Sequence, residues 1–160
     1  MRIFDSPEAF HAAQGDPLGP SSWHTIDQEQ INRFAQATGD FQRIHVDPQQ
    51  AASGPFGSTI AHGYLTLSLL PMLTHQYYSV DARMIVNYGL KRVRFVTPVP
   101  VDSRVRARSV ISDVLDIDGG VQVTLSSSME RPAPTVRPAW PRPSPGSSSE
   151  FDQGAAAHGQ

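Results

Sequence analysis

The sequence predicts an α+β fold in which a curved antiparallel sheet wraps around one buried helix. Two observations carry this. The segment "IAHGYLTLSLLPMLTHQYY" is apolar on nearly every side. Its length suits a helix better than a strand, and a helix apolar all round must be enclosed by other structure. After it come long stretches of period-two alternation, "ARMIVNYGLKRVRFVTPV" and "SRVRARSVISDVLDIDGGVQVTL". Alternation of that length reads as sheet, with Asp118-Gly119-Gly120 as the turn of a hairpin.

The elements follow in order. "SPEAFHAAQG" forms a short helix, with Ser6 as cap and Pro7 at the first helical position. "TIDQEQINRFAQATG" is the clearest helix of the chain. Asp27 or Thr25 can cap it, Gln30 stands three residues after Asp27, and Ile31, Phe34 and Ala35 share one face. Gly39 is a natural stop, so Asp40 begins a loop. "SGPFGST" is a glycine-rich turn ahead of the apolar helix, and Pro71 is a local fault that can kink that helix. In the strands, Val93 and Phe95 alternate with Arg92 and Arg94. Val105, Ala107 and Ser109 alternate with Arg104, Arg106 and Arg108, and the turn leads into Val121, Val123 and Leu125.

From Ser126 the composition changes to Pro, Ser and Gly, with six prolines between Pro132 and Pro145. Such a stretch lacks ladder donors and cannot form helix interiors. The expectation is one domain over residues 1–125 and an extended or disordered tail over 126–160. The abrupt change has the look of a shifted reading frame, which predicts an alternating strand encoded in another frame after about Leu125.

At 160 residues and 17.5 kDa there is room for one domain with a real core. A net charge of -2 points neither to nucleic acid nor to an acidic interaction tail. With no cysteine, disulfides, a thiol nucleophile and thiolate metal sites are excluded. The N-terminus lacks the pattern of a signal peptide, and "YLTLSLLPML" is about half a membrane span. The expectation is a cytoplasmic protein with no membrane partner.

The polar candidates gather in "GDFQRIHVD", residues 39–47. Asp40 after a helix-ending glycine can simply satisfy turn N–H groups. His45 can equally be structural, and Asp47 can cap whatever begins at Pro48. Together, a carboxylate and an imidazole are also the parts of an acid–base site near neutral pH. His62 and Gly63 open the apolar helix. Gly63 either permits a close backbone approach or leaves first-turn N–H groups open to a developing oxyanion. His24 and His75 lie far from this cluster in sequence and read as structural or surface groups. No zinc-ligand spacing and no phosphate-loop motif occurs. The strand arginines are a solvated face or a rim for a phosphorylated ligand.

The stretch "FAQATGDFQRIHVDPQQAASGPFGSTIAHGYLTLSLLPML" resembles the motif region of the MaoC-like dehydratases, the (R)-specific enoyl-CoA hydratases. "VNYGLKRVRFVTPVPVDSRVRAR" is similar to the nodulation protein N-like branch, and the resemblance covers roughly residues 25 to 125. It implies the hot-dog fold, with the central helix at about residues 62–77, and a homodimer. It implies reversible hydration of a trans-2-enoyl-CoA to the (R)-3-hydroxyacyl-CoA, with no metal or redox cofactor. Asp40 and His45 would activate the water, and the Gly63 N–H would meet the thioester carbonyl. Gln42, Ile60, Ala61, His62 and Asn87 would bind the acyl-CoA.

Two departures stand out. Gln42-Arg43 replaces the Asn-Pro of many members. Gln42 could orient Asp40 through its amide, while Arg43 sets a charge beside the pair. The alternatives to a hydratase are a hot-dog acyl-CoA thioesterase and a non-catalytic acyl-thioester-binding protein.

Overall fold

A proline divides the apolar segment. It folds as α5 (Gly63–Ser68) and α6 (Leu70–Thr74), with Leu69 between them still in helical geometry. Pro71 has no N–H to give the preceding turn, so the fault expected there is where the helix breaks. Leu65, Leu69, Leu70 and Leu73 are buried, whereas Tyr64 and Met72 stay exposed along one face. The helix is therefore enclosed on most sides, not all.

The computed structural model describes residues 1–132 and 149–158. Before the central helix come β1 (Arg2–Phe4), α1 (Pro7–Ala12), β2 (Pro17–Leu18) and β3 (His24–Ile26). They are followed by α2 (Gln28–Thr38), α3 (Arg43–Val46) and α4 (Pro48–Ala52). After it come β4 (Tyr78–Val80), β5 (Met84–Val93), β6 (Ser103–Ile117), β7 (Gly120–Glu130) and β8 (Ser149–His158). Ser6 caps α1 by accepting the Ala9 N–H, with Pro7 at its start, as its sequence predicts.

The main sheet runs β2-β6-β7-β8-β5 with antiparallel pairing, and β3 adds to β6. The alternation on β6 is realised: Val105, Ala107, Ser109 and Ile111 point inward and are fully enclosed. On the outer face Arg106 and Arg108 both reach Glu130, and Arg104 and Arg106 lie over Trp23. These three arginines are thus committed to sheet and rim contacts. Gly119 takes the left-handed conformation, φ 78°, that closes the β6–β7 hairpin. Inward residues of β6 and β7 meet Leu65, Leu70 and Leu73 in one core with Phe4, Phe10 and Ile31. Truncating a leucine in such a core to alanine costs about 2–5 kcal/mol.

Two expectations are corrected. Phe95 does not continue the strand, because β5 ends at Val93 and Phe95 stands in the loop beyond. Residue 125 is not the end of the folded unit either. β7 continues to Glu130, and residues 149–158 form β8 between β7 and β5. The six prolines behind that expectation all precede β8. Small residues such as Ala155, Ala156 and Ala157 carry little strand signal of their own, and their backbone pairs on both edges. The rest of the expected tail, residues 133–148 and 159–160, lies outside the described residues.

Candidate active site

The site begins where α2 stops. Asp27 caps that helix by accepting the Gln30 N–H, and Gly39 ends it in the left-handed region at φ 76°. The reversal frees Asp40 from the helix, and its Oδ1 accepts the Gln42 N–H at 3.3 Å. One turn of helix, α3, then turns the chain inward and buries His45. Asp47 caps α4 through Gln50, which leads the chain away again.

His45 is held by the segment just before the central helix. Its Nδ1–H donates to the Ile60 carbonyl at 2.7 Å, and the Ile60 N–H donates to the Ile44 carbonyl at 3.0 Å. With Nδ1 occupied as donor, Nε2 is the free acceptor of the ring. Burial lowers the His45 pKa from its ordinary 6.5 and the neighbouring His62 lowers it further, against the Ile60 carbonyl and Asp40, which raise it. The imidazole is therefore neutral at pH 7 and able to take a proton.

His62 stacks on it, with ring centroids 3.8 Å apart and planes at 27°. The His62 side chain is 2 % exposed; its Nε2–H donates to the Asp40 carbonyl at 3.0 Å, and its Nε2 lies 4.0 Å from the Asp40 carboxylate. Its Nδ1 has no partner among the described residues. Leaving such a buried acceptor unpaired costs about 1–3 kcal/mol.

Asp40, His45 and His62 bring ligand-type atoms within 4.8 Å of one another, close enough in principle for a cation. Stacked imidazoles, however, present their lone pairs side by side, so one ring would have to turn before both could hold the same ion. The arrangement suits proton transfer better: a half-exposed carboxylate beside a buried neutral imidazole.

Gly63 starts the central helix next to this cluster, and a Cβ there would meet the Phe95 ring at 2.9 Å. Its N–H belongs to a first turn, which has no carbonyl partner within the helix. Asp40, His45, His62 and Gly63 are thus drawn together as the sequence suggests. Ile60 and Ala61 adjoin them, but both side chains are buried and they contribute through backbone hydrogen bonds.

Three expected roles are placed differently. Gln42 steadies Asp40 with its backbone N–H, not with its side-chain amide. Arg43 is exposed and donates to Gln50 of α4 at 3.1 Å, so its guanidinium is engaged by that helix. Asn87 sits on β5 beside an apolar cavity lined by Phe4, Phe10, Thr74, Tyr78 and Ile111. That cavity is at the far end of the central helix, roughly three turns or about 16 Å from Gly63.

Sequence reasoning missed Gln28 and Thr59. Gln28 Nε2 donates to the His45 carbonyl at 2.8 Å, and its Oε1 accepts from the Thr59 hydroxyl at 2.5 Å. No local pattern marks either residue, because the contact joins the start of α2 to α3 and to a residue 31 positions along the chain.

A family model described as the MaoC like domain matches residues 9–131. The chain belongs to the MaoC-like dehydratase family. It is similar to 3-hydroxyacyl-thioester dehydratase Z of Mycobacterium tuberculosis, 55% identical over 132 residues, which are 81% of this chain and 87% of that protein. Nodulation protein N of Rhizobium meliloti is 52% identical over 102 residues, 62% of this chain and 63% of that one. That likeness puts this family member in the nodulation protein N-like branch. The fold is that of the (R)-hydratase from A. caviae, with a TM-score of 0.66 at 21% identity over 91% of this chain and 96% of the other. This MaoC-like chain accordingly has the hot-dog fold.

Proposed function

We propose that this MaoC-like protein catalyses the reversible hydration of a trans-2-enoyl-CoA to the (R)-3-hydroxyacyl-CoA. One observation carries the reading: a buried, neutral His45, its Nδ1–H tied to the Ile60 carbonyl, offers Nε2 as a base beside the Asp40 carboxylate. Similarity to a 3-hydroxyacyl-thioester dehydratase supports the reaction class.

In the hydration direction, water hydrogen-bonds to Asp40 and gives a proton to His45 Nε2 as its oxygen bonds to C3 of the substrate. The π electrons move toward the thioester carbonyl, whose oxygen takes up the charge and accepts the Gly63 N–H. His45 then returns the proton to C2, and Asp40 balances the transient imidazolium. Each proton is accounted for, and dehydration runs the same steps backwards. The handle on the acyl group is coenzyme A or the equivalent arm of a carrier protein.

A homodimer is part of this reading. β5 pairs with β8 along one edge and ends the sheet, while Met84, Ile85, Val86, Tyr88 and Leu90 are exposed. A ten-residue edge strand that exposes these apolar side chains is an open template for a second copy. Sedimentation velocity at micromolar concentration is expected to give twice the chain mass.

Crotonyl-CoA hydration, followed by loss of the enoyl thioester absorbance, tests the reaction. Asp40→Asn and His45→Ala are expected to lower kcat by about 10²-fold or more. Unchanged rates in either variant would remove the mechanism, and release of free thiol would point to a thioesterase instead.

A further inference from the structure

His62 is committed to the acid–base pair on two sides. Its Nε2–H reaches the backbone of Asp40, its ring covers that of His45, and Phe34 lies 5.0 Å from it. We propose that His62 is a positioning residue, which fixes the separation of Asp40 and His45 by hydrogen-bonding the first and stacking on the second. This inference rests on the hydratase reading above, and it gives His62 a task other than touching the acyl-CoA.

The geometry selects one protonation state. A lone pair on Nε2 would face the Asp40 carbonyl oxygen at 3.0 Å, so that nitrogen must carry the proton. The Nδ1–H form would therefore set two acceptors against each other. A doubly protonated ring would bury an N–H without a partner and press a charge against His45. Only the neutral Nε2–H form suits both neighbours, at the expense of an unpaired Nδ1 acceptor.

A side chain serving only the core would have no use for that arrangement. A phenylalanine could fill the same space and stack without leaving an orphaned nitrogen. What the imidazole adds is the hydrogen bond across 22 residues of sequence, from the helix start to the loop bearing the carboxylate. Among the described residues, Asp40 has otherwise only a 3.3 Å contact from the Gln42 N–H to hold it. Without the His62 bond the loop after Gly39 could drift, and a displacement of about 1 Å in such a site can cost 10²-fold in rate.

The test uses the full chain and crotonyl-CoA, with kcat and KM measured for His62→Phe, His62→Gln and Asp40→Asn. His62→Phe keeps the stack and loses the donor. It is expected to lower kcat at least tenfold, with KM within threefold of wild type. His62→Gln, whose amide nitrogen can reach the same carbonyl, should recover most of the lost kcat. A His62→Phe protein with kcat within twofold of wild type, or with only KM raised, overturns the positioning role. Asp40→Asn separates the two readings: full activity there sinks the hydratase, whereas a dead Asp40→Asn beside a normal His62→Phe sinks this inference alone. Should His62→Phe fail to fold, ¹⁵N spectra of the wild-type imidazoles decide. The neutral Nε2–H form of His62 at pH 7 supports the proposal, and any other form overturns it.

Discussion

Phe95 stands so close over the start of the central helix that a Cβ on Gly63 would come within 2.9 Å of its ring. The near atoms include Cγ, close to the root of the side chain, so the whole ring must swing to make room. Phe95 also makes edge contacts with Tyr64 and Phe151, at 5.7 Å and 6.0 Å between centroids, which a swing would break. Gly63→Ala is therefore expected to cost about 1–3 kcal/mol of stability. Crotonyl-CoA turnover should fall about tenfold or more, as the N–H proposed to face the thioester moves. Adding Phe95→Ala should return part of the stability. A thermodynamic cycle over the four proteins reads the coupling, and strict additivity would show that the two residues do not meet.

Gln28 works from further back. Its amide joins the His45 carbonyl to the Thr59 hydroxyl, and Thr59 precedes the Ile60 carbonyl that orients the His45 ring. Gln28→Ala strands the Thr59 hydroxyl, which is 1 % exposed, at a cost of about 1–3 kcal/mol. Thr59→Val should cost less, because the half-buried Gln28 can turn its oxygen to water. Denaturant titration measures both. In the hydration assay each variant should lose kcat more than KM rises, since the proposed base is displaced and the substrate surface is left intact.

These contacts mark the limit of what the sequence discloses. The cap at Asp27, the stop at Gly39, the break at Pro71 and the inward face of Val105, Ala107 and Ser109 are all local, and local rules find them. Asp40 and His45 are legible as a pair because a capped helix and an apolar helix bracket them. The Gln28–Thr59 bridge, the bond from His62 to Asp40 and the placing of Asn87 depend on how distant segments meet. β8 was hidden for a different reason: a strand of small residues draws its stability from the two strands beside it.

Arg43 illustrates the same limit in a testable way. Its sequence position beside the pair suggests interference, yet its guanidinium reaches Gln50. Arg43→Gln is expected to change stability by no more than about 0.5 kcal/mol, as for an ordinary surface position. Hydration rates should stay within twofold. A large gain in rate would mean that the charge does act on the site.

The depressed pKa of His45 links activity and stability to pH in the same direction. The folded protein holds this imidazole neutral to lower pH than the unfolded chain, whose histidine titrates near 6.5. Above about pH 6.5 both states carry neutral imidazole and the folded state keeps its full advantage. As pH falls through 6.5 toward the folded pKa, the unfolded chain binds the proton first and stability drops. The acid limb of kcat/KM should correspondingly lie below 6.5, because the proposed base must be neutral in the free enzyme. His45→Asn should flatten the fall in stability between pH 7 and 5. A wild-type melting temperature unchanged over that range would contradict a buried neutral His45.

The last strand can be tested by removing it. β8 pairs along its whole length with β7 and over nearly as long a run with β5, and Phe151 within it is fully buried beside Phe95. A chain ended after Pro132 would expose the edges of both neighbours and remove a core aromatic. Loss of a buried phenylalanine alone costs about 3–5 kcal/mol, a large share of the 5–15 kcal/mol that holds an ordinary domain together. The shortened chain is expected to lose its cooperative thermal transition and to aggregate through the open edges of β5 and β7. Phe151→Ala in the full chain should keep the transition but lower its midpoint by several degrees. A shortened chain that melts like the full one would mean that residues 149–158 add nothing to the sheet, and that the edges of β5 and β7 are satisfied in another way.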